Sequence, residues 1–133
     1  MKPYLLLLAV LIISSCSKSQ NTPEINRQII GTWVWVQSSG GIDGRVDTPE
    51  KNGHDILLEI SETKIKTFIN DNIESIQDYH ISIEEVMEGG TKEVIIYDDG
   101  NYQKQSIYFK GDSLILIDQC IDCFNHVYKK NTN

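Results

Sequence analysis

Apolar positions in this chain follow two different patterns. Tyr4 to Ile13 is an unbroken apolar run, whereas from Gly31 onward apolar and polar residues alternate in short segments punctuated by Gly, Asn, Asp and Ser. Alternation with period two is the mark of a half-buried strand. In Thr32-Trp33-Val34-Trp35-Val36 it puts Trp33 and Trp35 on one face and Val34 and Val36 on the other. Ile56, Leu58 and Ile60 then alternate with Leu57, Glu59 and Ser61, and Ile65, Thr67 and Ile69 with Lys64, Lys66 and Phe68. Asn70-Asp71-Asn72 predicts a hairpin turn, since Asn and Asp tolerate left-handed backbone.

The series continues through Ile73 to Ile83, with Tyr79, Ile81 and Ile83 on one side, and is broken at Glu88-Gly89-Gly90-Thr91. Val94 to Tyr97 follows, then a turn at Asp98-Asp99-Gly100-Asn101, then Gln105, Ile107 and Phe109 alternating with Lys104, Ser106 and Tyr108. Gly111-Asp112 leads into Leu114 to Ile117, and Phe124 to Lys129 ends the series. Counted from Thr32 this predicts about eight strands joined by short turns, an antiparallel up-and-down meander that can close into a barrel. A β-sandwich is the alternative, disfavoured because the connections leave no long Greek-key crossover.

Two segments fall outside this rhythm. Thr22 can cap a short helix with Pro23 at its first position, Glu24 at the positive end of its dipole and Gly31 as its stop, with Ile25 and Ile29 on a common face. Ser38 to Gly53 has glycines, Pro49 and charges but no alternation, and predicts one long loop, of the kind that is functional or mobile.

The leader has the grammar of a secretory signal: a basic Met1-Lys2, the apolar run and a small-residue exit. The run is about half the ~20 residues a membrane-spanning helix needs. Ile13-Ser14-Ser15-Cys16 resembles the bacterial lipobox, which implies cleavage before Cys16 and lipidation of its sulfur and new amine. Each buried CH2 contributes about 0.8 kcal/mol, so several chains make release slow. Residues 1–15 are expected to be a lipoprotein signal peptide, 16–23 a lipidated tether and 24–133 the β-domain. Without acidic residues directly after Cys16, the expected location is the outer membrane, facing the periplasm.

Gly31-Thr32-Trp33, preceded by a short helix, resembles the Gly-x-Trp signature of the first lipocalin strand. With Thr48-Pro49-Glu50, the hairpin turns, Asp118-Gln119-Cys120-Ile121-Asp122 and His126-Val127-Tyr128, roughly Ile29 to Lys130 resembles small lipocalin-like lipoproteins of the Bacteroidetes type. The resemblance implies that Gly31 and Trp33 mark the barrel floor, with Lys129 or Lys130 over the Trp33 ring. It also implies that the loop after the first strand is a lid. Where that pattern has Asp-Gly, this chain has Asp122-Cys123, and cysteine disfavours the positive φ a glycine would take.

Composition narrows the partners. In 133 residues, 12 Lys and Arg face 19 Asp and Glu, a net charge of −7; removing the leader, whose only charged side chain is Lys2, leaves 11 against 19, or −8. Such a surface repels phosphate backbones and argues against nucleic acid; the identity of any protein partner is left open.

Candidate chemistry is sparse. There is no phosphate loop, dinucleotide fingerprint or Gly-x-Ser-x-Gly elbow, and the pairs Glu84-Glu85 and Asp98-Asp99 flank turns, where solvation explains them; no catalytic residue, cofactor or metal is expected. Cys120-Ile121-Asp122-Cys123 leaves several readings open: a disulfide across a tight turn, free thiols, a redox pair, or, with His126, three zinc ligands. The expected function is non-enzymatic: an apolar or amphipathic small molecule held in the barrel, with Ile56, Leu58, Tyr79 and Ile107 as candidate lining residues. The alternative is an envelope interaction or inhibitor module with a filled barrel.

Overall fold

A computed structural model describes residues 24–133. The leader, Cys16, the tether and the Thr22-Pro23 helix start lie outside the described residues. Helix α1 (Glu24–Gln28) is a single turn, extended when the Ile29 N–H donates to the Ile25 carbonyl at 3.0 Å. Ile29 is fully buried and Ile25 packs on the same core, so the predicted common face is the one that docks.

Strand β1 (Gly31–Gly40) is followed by β2 (Arg45–Asp47), a helical turn α2 (Pro49–Asn52) and β3 (Ile56–Ile60). The meander then runs through β4 (Lys64–Ile69), β5 (Asn72–Glu85), β6 (Thr91–Tyr97), β7 (Gln105–Lys110), β8 (Ser113–Asp118) and β9 (Phe124–Lys130). From β3 to β9 each strand pairs antiparallel with the next, β3 pairs with the first half of β1, and β9 pairs back on β1 from Trp33↔Lys130 to Gly40↔Phe124. The result is a closed, eight-stranded, lipocalin-like barrel, with β2 as a short flap on the outer half of β1. Closure rules out the sandwich, because a sandwich would leave β1 and β9 as edges.

The long loop expected between Ser38 and Gly53 is corrected. β1 continues to Gly40 because β9 supplies its ladder partners, and β2 folds back on Ser38 to Gly40. Thr48 then caps α2, its Oγ1 accepting from Lys51 N at 3.3 Å, and Gly53 ends it in the left-handed region at φ 71°. A strand whose partners are far away in sequence, followed by one helical turn, has no local alternation to reveal it.

The closed end is packed. Ile29, Trp33, Leu58, Ile60, Ile65, Tyr79, Ile95, Ile107, Leu114 and Leu116 fill it, each buried aliphatic side chain contributing roughly 1.5–3 kcal/mol. Trp33 lies across this floor, its indole N–H donating to the Ile29 carbonyl at 2.8 Å. Of the two lysines, Lys130 covers it, with Nζ 5.0 Å from the ring centroid, whereas Lys129 reaches outward to Asp112. Gly31 takes φ 142°, and a Cβ there would meet Lys130 Cε at 3.2 Å, so the glycine makes room for the cation over the indole.

The turns follow the expected residues with one change. Asn70 and Asp71 both take positive φ (47° and 65°) in the β4–β5 hairpin. In the last turn it is Asp122, at φ 57°, that enters the left-handed region, which leaves Cys123 in ordinary backbone.

Candidate functional site

Above the packed floor, the open half of the barrel holds a cavity of about 350 Å³. Ile56 and Leu58 line it, as expected. Tyr79 and Ile107 do not, and this is a correction: both point into the barrel but are sealed in the floor, where the Tyr79 hydroxyl donates to the Ser61 carbonyl at 2.6 Å. Alternation assigns a residue to the inner face and says nothing about its depth, and depth decides whether it meets a ligand or the core. Ile65, Leu116 and Tyr128 complete the base of the cavity.

One wall is polar, and a β-bulge builds it. β1 passes Val36 as an extra residue between the pairs Trp35↔Tyr128 and Gln37↔Val127. Strict alternation would turn Gln37 inward beside Trp35; the bulge turns Ser38 inward instead, opposite His126. Ser38 is buried at 8% exposure. Its Oγ accepts from Trp35 Nε1 at 2.9 Å and lies 2.7 Å from His126 Nδ1, while His126 Nε2 lies 3.1 Å from Asp118 Oδ2. From the other side Gln105 Nε2 donates to Asp118 Oδ1 at 2.8 Å, and the Tyr97 hydroxyl donates to Gln105 Oε1 at 2.9 Å.

Asp118 anchors both arms. Burial opposes its charge, but the hydrogen bonds from His126 and Gln105, the His126 charge and a backbone bond from Phe124 outweigh that and hold its carboxyl below the usual range. Burial, with Asp118 and neighbouring tyrosines adding to it, drives Tyr97 far up, so it stays protonated and able to donate. Tyr128 is raised likewise by burial and by its Tyr97 and Asp118 neighbours.

The remaining walls are mostly aromatic. The His54 ring stacks on Trp35 at 5.9 Å, and Tyr102 tilts against Tyr97 at 5.3 Å. At the rim Arg45 lies 5.0 Å over the Phe124 ring and pairs with Asp47 at 3.2 Å. Lys51 of α2 also reaches Asp47 and donates to the Val46 carbonyl at 2.6 Å, so the β2–α2 segment is a braced side of the mouth. Thr67, Ser75 and Gln77 face the cavity from β4 and β5.

Cys120 and Cys123 are joined as a disulfide that closes the β8–β9 turn, between Asp118 on one strand and Phe124 and His126 on the other. The Cys123 carbonyl accepts from Gly41 N at 3.2 Å, tying this turn to the end of β1. With the sulfurs bonded to each other, Cys120, Cys123 and His126 do not form a thiolate set, and no cluster of three or more His, Cys, Asp or Glu suited to a metal occurs among the described residues.

Sequence reading missed Ser38, His126, Asp118, Gln105 and Tyr97 as a group. Gln105 was legible as one face of its strand, Asp118 and His126 as parts of the lipocalin-like ending, and His126 also as a zinc ligand; nothing local announces the bulge. Ser38, His126 and Asp118 have the composition of a nucleophilic triad, with the Asp on Nε2 and the Ser on Nδ1. Ser38, however, lies within the ladder, paired with Asp47 on one side and His126 on the other, where backbone N–H groups serve strand pairing rather than an oxyanion. Comparison with protein-family models, with curated proteins and with solved structures finds no match.

Proposed function

We propose that this chain is a lipid-anchored envelope protein, held at Cys16 and facing the periplasm, that binds one small amphipathic molecule in the open half of its barrel. The observation that carries the reading is the cavity itself. At about 350 Å³ it falls within the ligand-pocket range, and it combines an aliphatic base and aromatic sides with one hydrogen-bonded polar wall. A purely apolar ligand fits less well, since the Ser38 and Tyr97 oxygens at the cavity would lose solvent contact without gaining a partner. The signal grammar before Cys16 supports the anchor, and the Gly31 to Trp33 signature supports a lipocalin-like role.

Native mass spectrometry of the detergent-solubilised full chain tests the binding reading. A co-purifying small molecule, displaced when Leu116→Trp fills the cavity, is the expected result; an empty protein that takes up nothing from an amphiphile library removes the proposal. Membrane fractionation of Cys16→Ser tests the anchor separately, and unchanged membrane retention removes it.

A second reading, an envelope interaction module, draws on the filled lower half of the barrel and on the mouth. Ile42, at 90% exposure, and Ile121, at 80%, project from the β1–β2 and β8–β9 turns, which Gly41 and Cys123 bond together. An apolar pair on adjoining turns suits contact with a protein surface.

A further inference from the structure

We infer that the cavity is wired to take a ligand that donates hydrogen bonds, a flat ring bearing an amine or hydroxyl group, in preference to the matching carboxylate. The inference rests on the ligand-binding reading above and narrows it to a chemical class.

The argument starts at Asp118, whose ionised carboxylate can only accept. Its partner on Oδ2 is His126 Nε2, so in the neutral imidazole that nitrogen carries the proton and Nδ1 is bare. With the imidazole neutral, Ser38, 2.7 Å from Nδ1, spends its only proton on His126. Trp35 Nε1 is a donor without acceptor capacity, and it occupies a Ser38 lone pair. The Ser38 oxygen is left with a lone pair and nothing to donate.

The second arm obeys the same logic. Asp118 Oδ1 requires the amide nitrogen of Gln105, which turns the Gln105 oxygen toward Tyr97 and commits the Tyr97 proton to it. The Tyr97 oxygen then also offers only lone pairs. Both residues line the cavity. Every proton on the two bonds of each arm that lead away from the cavity points toward Asp118, so the two ends that face a ligand are acceptors.

Asp47 at the rim, held by Arg45 and Lys51, is a further acceptor, and the groups deeper on β4, β5 and β9 do not impose a direction. The hydroxyls of Thr67, Ser75 and Tyr128 can rotate, and the Gln77 amide can flip, so each serves a donor or an acceptor equally. Among the described residues the Tyr128 hydroxyl has no hydrogen-bond partner, although it belongs to a residue of only 7% exposure that lines the cavity. Inside the cavity, discrimination therefore falls to Ser38 and Tyr97. A carboxylate placed against them would face lone pairs, whereas an N–H or O–H would complete both arms. Arg45, the rim cation, pairs with Asp47 through Nε and is seated on the Phe124 ring, so its charge is already partly compensated before an acid arrives. The flat shape follows from the aromatic lining by Trp35, Tyr97, Tyr102 and Phe124.

Three probes on one ring separate the chemistry: tryptamine, tryptophol and indole-3-acetate. Calorimetry on the detergent-solubilised full chain at about pH 8, above the ordinary histidine range, is expected to show the amine and the alcohol binding at least about tenfold more tightly than the acid. Ser38→Ala and Tyr97→Phe, each checked for cooperative thermal unfolding, are expected to bring the three within roughly threefold of one another. The inference is overturned if the acid binds as well as the others, or if neither variant alters the preference. If none of the three binds while a molecule still co-purifies with the protein, the donor class is wrong and the cavity reading survives. If nothing binds and nothing co-purifies, both fall.

Discussion

Ser38 Oγ and His126 Nδ1 stand 2.7 Å apart although 88 positions separate them in the chain. They meet because β9 closes the barrel on β1 and because the bulge at Val36 turns Ser38, rather than Gln37, to the inside. The contact therefore depends on closure and bulge together, and it couples the polar wall to the integrity of the barrel.

Removing His126 should show that coupling. His126→Ala strips Asp118 Oδ2 and Ser38 of their partner in a partly buried site, where side-chain exposure is 23% for His126 and 14% for Asp118. The expected loss is about 1–3 kcal/mol of unfolding free energy, from leaving a desolvated carboxylate short of a donor. Ser38→Ala should cost less, and the double variant less than the sum. Urea denaturation of the four proteins measures the cycle; additive losses would mean the residues act independently.

Acid should weaken the fold through the same carboxylate. Asp118 is held below its ordinary pKa, so its contribution is present in full above the unfolded value of about 3.9 and is lost as pH falls toward the lower folded value. Glu88 acts in the same direction: burial opposes its charge, but Ser106, Gln119, its own backbone N–H and Tyr108 donate to it and hold it low. Thermal melts across about pH 3 to 6 should show stability rising with pH, more shallowly in Asp118→Asn and Glu88→Gln. A slope unchanged in both variants would place the acid sensitivity elsewhere.

The disulfide spans a short loop, and chain-entropy reasoning gives it about 2 kcal/mol. Its larger effect should be local, since Cys123 contacts Gly41 and the bridge lies between Asp118 and Phe124. A Cys120→Ser, Cys123→Ser variant should stay folded, lose roughly that stability and bind the cavity ligand more weakly. Alkylation of the oxidised mature protein should find neither cysteine free. Two reactive thiols would contradict the bridge.

Gly40 and Gly31 make a pair of substitutions with separable outcomes. A Cβ on Gly40 would lie 2.2 Å from the Cys123 carbonyl oxygen, so Gly40→Ala must push β1 and the β8–β9 turn apart at the mouth. Gly31→Ala meets the flexible end of Lys130 and carries a backbone cost of about 1–3 kcal/mol at φ 142°. Amide exchange should accelerate at the open end in the first variant and around Trp33 in the second. Uniform acceleration in both would mean that the barrel opens as one unit.

What the sequence by itself determined is the set of local decisions. Period-two alternation assigned Trp33, Trp35, Leu58, Ile107 and Gln105 to faces, and Asn70-Asp71 specified a hairpin. These follow from neighbours within a few residues, where side-chain period and turn chemistry act directly. Only the tertiary structure decided that Ser38 to Gly53 is a strand end, a flap and a helical turn rather than a loop. It alone decided that Tyr79 and Ile107 lie wholly within the floor while Ile65 and Tyr128 reach the cavity, and that Lys130 rather than Lys129 covers Trp33. Depth in a barrel is set by the stagger between strands, and a bulge by the ladder partner it accommodates. The bulge and the Ser38–His126 contact depend on segments that meet only when β9 reaches β1, and that closure joins Ser38 to the Tyr97, Gln105, Asp118 and His126 wall built by β6 to β9.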